Sequence, residues 1–66
     1  MPDKAEVRAD AIEAAISAAL RTIELCQAAR ALNKAEVEAA IFGAVQGAAR
    51  AATETQAHLS IVAETV

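Results

Sequence analysis

"NKAEV", Asn33 to Val37, stands at the middle of a 66-residue chain and repeats "DKAEV", Asp3 to Val7, thirty residues earlier. Asp and Asn side chains accept hydrogen bonds from the free amides that open a helix. Three residues after each stands a glutamate, Glu6 and Glu36, able to reach back to the capping residue's own amide. Each phrase therefore has the form of a capping box, and each predicts a helix start. Leu32 and Val37 flank the second start as a hydrophobic staple pair. The expected layout is one domain, 1–66, with a first helix over about 4–32, a turn at Asn33 and a second helix over about 34–64. So short a connection makes the helices antiparallel. Pivoting at Asn33, residue i faces roughly residue 66 − i. Beyond the capping phrase most matches at this offset are Ala on Ala, so a duplicated helix and two independent caps explain the repeat equally well.

Composition agrees with an all-α chain. Twenty residues are Ala, against two Gly, one Pro and one aromatic, and Ala loses least on entering a helix. Nothing alternates with period two. Chains this short bury little surface and rely on disulfides, a metal or a partner chain. Cys26 is the only cysteine, so an intrachain disulfide is impossible and a reducing compartment is expected, with a dimer-linking disulfide as the second reading. No basic-then-apolar leader opens the chain, and no run is long enough to span a bilayer. The expected location is cytoplasmic. A net charge of −3 argues against nucleic acid or an anionic membrane as the main partner.

Two stripes run along the first helix. The larger holds Ala9, Ile12, Ile16, Ala19, Ile23 and Cys26, with Leu20 beside them; the thinner holds Ala11, Ala14, Ala18, Leu25, Ala28 and Leu32. The second helix carries Val37, Ile41, Ala44, Val45, Ala48, Ala51, Ala52, Thr55, Leu59 and Val62, widened by Phe42 and Ala49. Its charge-free stretch, Ala39 to Ala49, is apolar on all sides, and two helices cannot cover such a segment. Gly43 and Gly47 lie four apart within it, each costing about 1 kcal/mol against Ala, and a row of small residues admits a close helix crossing. The expected oligomer interface is therefore Ile12, Ile16, Ala19, Leu20, Ile23, Ile41, Phe42, Gly43, Val45, Gly47, Ala48 and Ala51, with Asp3, Glu6, Asn33 and Glu36 as helix caps.

Little in the chain suggests chemistry. Cys26 and His58 stand far apart in a single hairpin, and Cys26, on the apolar seam, reads as a small packed hydrophobe. Arg50, Glu54 and His58 follow each other at intervals of four, an ordinary charge ladder on one helix face. No nucleophile stands near a base, no glycine-rich phosphate loop occurs, and the Glu-x-x-His spacing of di-iron bundles is missed by one residue. No catalytic, metal or cofactor-binding residue is expected, and the protein is not expected to be an enzyme. The six basic residues are scattered among nine acids and read as solvated.

In length and layout the chain resembles the Rop family of plasmid RNA-binding proteins, two-helix hairpins that pair into a four-helix bundle. The likeness is one of architecture and carries no residue across. It implies a homodimer. The expected function is that of a non-enzymatic interaction module, an adaptor or regulator, pairing with itself and with another protein. A self-assembling structural subunit and a Rop-like RNA-binding regulator are the alternatives.

Overall fold

The computed structural model describes residues 3–66. Two helices, α1 over Lys4–Lys34 and α2 over Glu38–Thr65, pack side by side as an all-helical hairpin. The molecule is a narrow slab of 50 × 16 × 12 Å.

The first cap is as the sequence predicts. Asp3 is extended and its carboxylate accepts from the Glu6 amide at 2.8 Å. The second is not. Asn33 lies inside the last turn of α1 and Glu36 does not close a capping box; α2 begins at Glu38, after Val37, which offers no side-chain cap. The same residues instead end α1. The Val37 amide donates to the Leu32 carbonyl and the Glu36 amide to the Asn33 carbonyl, each at 3.1 Å. Glu36 itself turns left-handed, with φ 58°. This is a Schellman motif, with Glu36 in the position usually held by glycine. Leu32 and Val37, a pair suited to a staple, occupy the two positions that such a motif joins by an apolar contact. Asn and Glu at these spacings fit either a start or a stop, and the left-handed turn at Glu36 selects the stop.

Moving the pivot changes the register. Arg8 reaches Thr65, Arg21 reaches Glu54, and Leu25 lies against Gly47, so residue i of α1 faces about residue 73 − i of α2 rather than 66 − i. The offset is one heptad. Seven residues are nearly two whole turns, so each helix keeps its inward face while its partners change.

The seam joining the helices follows the thinner of the two stripes only in part: Ala11, Ala18, Leu25 and Leu32 lie in it, Ala28 is exposed, and Ala15, Thr22 and Ala29 join it. Its buried residues are Ala11, Ala15 and Ala18 of α1 and Ala48 and Ala51 of α2, and among the described residues no large side chain is fully buried. Thr22, Leu25, Ala29 and Leu32 continue it toward the turn on α1, and Ala44, Thr55, His58 and Val62 continue it on α2, all half-buried. Thr22 and Thr55 sit there without an unpaired hydroxyl: each donates to the carbonyl one turn back, to Ala18 at 3.0 Å and to Ala51 at 2.9 Å. Five buried methyls contribute about 4 kcal/mol together, at about 0.8 kcal/mol each. The bulky stripe stays outside: Ile16, Leu20 and Ile23 are 54, 55 and 53% exposed.

Candidate interaction surface

The hairpin has two unlike sides. At 100° per residue, Ile12, Ile16, Ala19 and Ile23 cluster about a quarter turn from the alanine seam of α1, with Leu20 at their outer margin. A shallow groove lined by Ile12, Ala15, Ile16, Ala19, Thr55 and Leu59 joins this stripe to α2. The next groove toward the turn is lined by Ala19, Thr22, Ile23, Ala52, Thr55 and Gln56. Neither holds a charged residue. Val45, seven residues before Ala52, extends the same side, and Phe42, 66% exposed, stands at its edge.

The opposite side carries the ion pair and the histidine, while Arg30 stands on the first side, beside Ile23 and Cys26 near the turn. Arg21 and Glu54 form an ion pair across the seam, both half-exposed. His58 is half-buried and lines a groove with Val7, Asp10, Ala11, Ala14 and Ile61. Glu54 of the charge ladder pairs across the seam with Arg21 of α1, and His58 shares its groove with Asp10 and Ala14 instead of lying opposite Arg8. Arg8 has another task. Its guanidinium donates to the Thr65 carbonyl and, at 3.4 Å, to the Thr65 hydroxyl. The last turn of α2 holds no basic residue. Arg8 therefore brings a cation to a helix end whose carbonyls lack intrahelical partners.

The residues expected at an oligomer interface separate into three groups. Ile12, Ile16, Ala19, Leu20, Ile23, Phe42 and Val45 lie on or beside the charge-free side. Ala48 and Ala51 are buried inside the hairpin, and Ile41 is half-buried at its end. The glycines face elsewhere. A methyl group on Gly47 would lie 3.1 Å from Leu25 Cδ1 of the same chain, while one on Gly43 would meet nothing within 4 Å. Cys26, expected to be packed, is exposed, in a groove with Thr22, Ile23, Gln27 and Arg30.

Sequence reasoning passed over Ala15, Thr22 and Ala29 as seam residues, and Arg8 and Thr65 as a clamp. The available signal was size: the stripe of smallest residues in each helix permits the closest approach. Among the described residues no group of three or more His, Cys, Asp or Glu side chains could hold a metal ion, and no helix is long and apolar enough to cross a membrane. Comparison with protein-family models, with curated proteins and with solved structures finds no match.

Proposed function

We propose that the chain is a non-enzymatic helical interaction module that works as a homodimer, two hairpins forming a four-helix bundle through their charge-free sides. The supporting observation is an excess of surface. The chain exposes 4862 Å², whereas a compact monomer of 6.8 kDa exposes about 4,000 Å². Two separate copies expose about 9,700 Å², and a compact body of twice the mass about 6,600 Å². The difference, about 3,000 Å², falls within the range of obligate homodimer interfaces. The apolar side chains that would fill such an interface, Ile12, Ile16, Leu20, Ile23 and Leu59, lie along or beside two grooves without a charged residue, with Arg30 entering next to Ile23 toward the turn.

Pairing in this way leaves the charged side, with Asp10, Arg21, Glu54 and His58, outside the bundle. That side is the surface offered to another protein, which suits an adaptor or regulator. Sedimentation equilibrium over a hundredfold range of concentration tests the proposal, and a single species of twice the chain mass is the expected result. A mass that keeps growing with concentration would instead mark a self-assembling structural subunit. Tight RNA binding that falls steeply with salt would mark an RNA-binding regulator.

A further inference from the structure

The groove that holds His58, near the open end of the hairpin, is apolar within and acidic at its border. Val7, Ala11 and Ala14 of α1 and Ile61 of α2 supply its apolar lining, and Asp10 and His58 are its polar members. Its volume is about 330 Å³, at the lower limit of small-molecule sites, so it suits side chains of a larger partner better than a whole ligand. The homodimer proposed above leaves it uncovered, because Ile12, Ile16 and Ile23 lie across the seam from it.

The charges beside this groove share one sign. Glu6 precedes Asp10 by four residues and Glu13 follows it by three, so the three lie on one face of α1, and all are exposed. From Glu6 to Glu13 is about 10 Å along the axis. That is one Debye length at 0.1 M salt, so the carboxylates act on a charged partner together. Glu64, exposed three residues after Ile61, adds a fourth on the α2 rim. The cations of this end lie elsewhere. Lys4 and Arg8 stand at least about 120° around α1 from each of the three acids, and Arg8 is held on Thr65. The next cation on the face is Arg21, about 16 Å beyond Asp10 and paired with Glu54.

The architecture limits what can dock there. Both walls are helices, so the groove offers no strand edge to an extended peptide. It has neither an aromatic wall for a proline-rich segment nor an arginine cluster for a phosphorylated one. A groove between packed helices takes the ridge of a third helix, whose apolar residues recur every three or four positions. Acidic rims require that this helix carry Lys or Arg, since like charges across an interface oppose association. Nucleic acid and anionic lipid meet the same repulsion.

Resting on the interaction-module reading above, we infer that this groove docks a basic amphipathic helix of a partner protein. An apolar side chain of that helix enters beside Ala14 and Ile61, and its Lys or Arg residues face Glu6, Asp10 and Glu13.

The probe is a synthetic helical peptide with Leu at alternating intervals of three and four and Lys between, titrated into the isotope-labelled full chain. Amide resonances of Val7, Ala11, Ala14 and Ile61 should shift. Asp10→Lys with Glu13→Lys, both at exposed positions, should weaken binding about tenfold or more. Replacing the peptide's Leu by Ala, which keeps its charge and its helix, should weaken binding by a similar factor. Shifts confined to Ala19, Ile23 and Ala52 overturn the inference, as does binding indifferent to the double variant, or no binding at all. Sedimentation of the chain without peptide reads the homodimer separately. A dimer mass without docking leaves the homodimer standing, and a monomer mass overturns it whatever the peptide does.

Discussion

At the scale of single residues, the turn holds the clearest strain. Glu36 occupies left-handed backbone, with φ 58°, which costs an L-residue roughly 1–2 kcal/mol and glycine almost nothing. Glu36→Gly is therefore expected to stabilise the protein by about 1 kcal/mol, less the entropy that glycine adds to the unfolded chain; thermal melting at fixed concentration reads it. Asn33 behaves opposite to an N-cap. It sits exposed in the last turn of α1, where Ala is the better helix former by up to about 0.7 kcal/mol. Asn33→Ala should leave the melting temperature unchanged or raise it, whereas Asp3→Ala should lower stability by about 1 kcal/mol. The glycines divide in the same way. Gly43→Ala should stabilise by nearly 1 kcal/mol, since nothing lies near the added methyl. Gly47→Leu must displace Leu25 and should destabilise by about 1–3 kcal/mol. Equal effects at the two positions would mean that Gly43 is also packed.

At the scale of the helices, α1 and α2 approach closely because alanine lines the contact. Ala18 and Ala51, 2% and 1% exposed, leave no room for a longer side chain. Ala51→Leu should loosen the hairpin by about 1–3 kcal/mol, although Leu and Ala have similar helix propensity; retained melting temperature would show that the seam can open without cost. The open end depends on Arg8. Arg8→Ala removes both bonds to Thr65, so the last turn of α2 should fray. Hydrogen exchange of the amides of Val62 to Glu64 should quicken while those of the Ala44–Ala51 stretch stay protected. The Arg21–Glu54 pair is exposed on both members. A double-mutant cycle there should return less than about 1 kcal/mol and vanish in high salt.

At the scale of the whole molecule, one slab of two helices covers only one stripe of each. Its bulky apolar residues are left to a second layer. If that layer is another copy, stability depends on concentration, and a tenfold dilution should lower the melting temperature. Ile16→Glu with Ile23→Glu sets charges in the middle of the charge-free side. The double variant should shift the mass to that of a monomer and lower the helical content at micromolar concentration. An unaltered dimer would place the interface on the charged side. Cys26→Ala makes a useful contrast, because an exposed thiol at the rim of the face removes little buried surface; it should keep the dimer.

Two long helices and their antiparallel course were legible in the residues alone, because helix propensity, the Asp3 cap and the scarcity of glycine and proline are local properties. The stripes were legible too, since a period of 3.6 needs no partner to be seen. Which stripe closes the hairpin was not. Hydrophobicity favours the isoleucines, but the distance at which two helices can be joined by a three-residue turn favours alanine, and that distance exists only in three dimensions. The turn shows the same limit: Leu32, Asn33, Glu36 and Val37 satisfy the pattern of a helix start and equally that of a helix stop. Local sequence leaves the two nearly balanced. The left-handed backbone at Glu36 and the amide bonds from Val37 to Leu32 and from Glu36 to Asn33 make the turn a stop, and backbone geometry of that kind is written in three dimensions, not in the residue pattern.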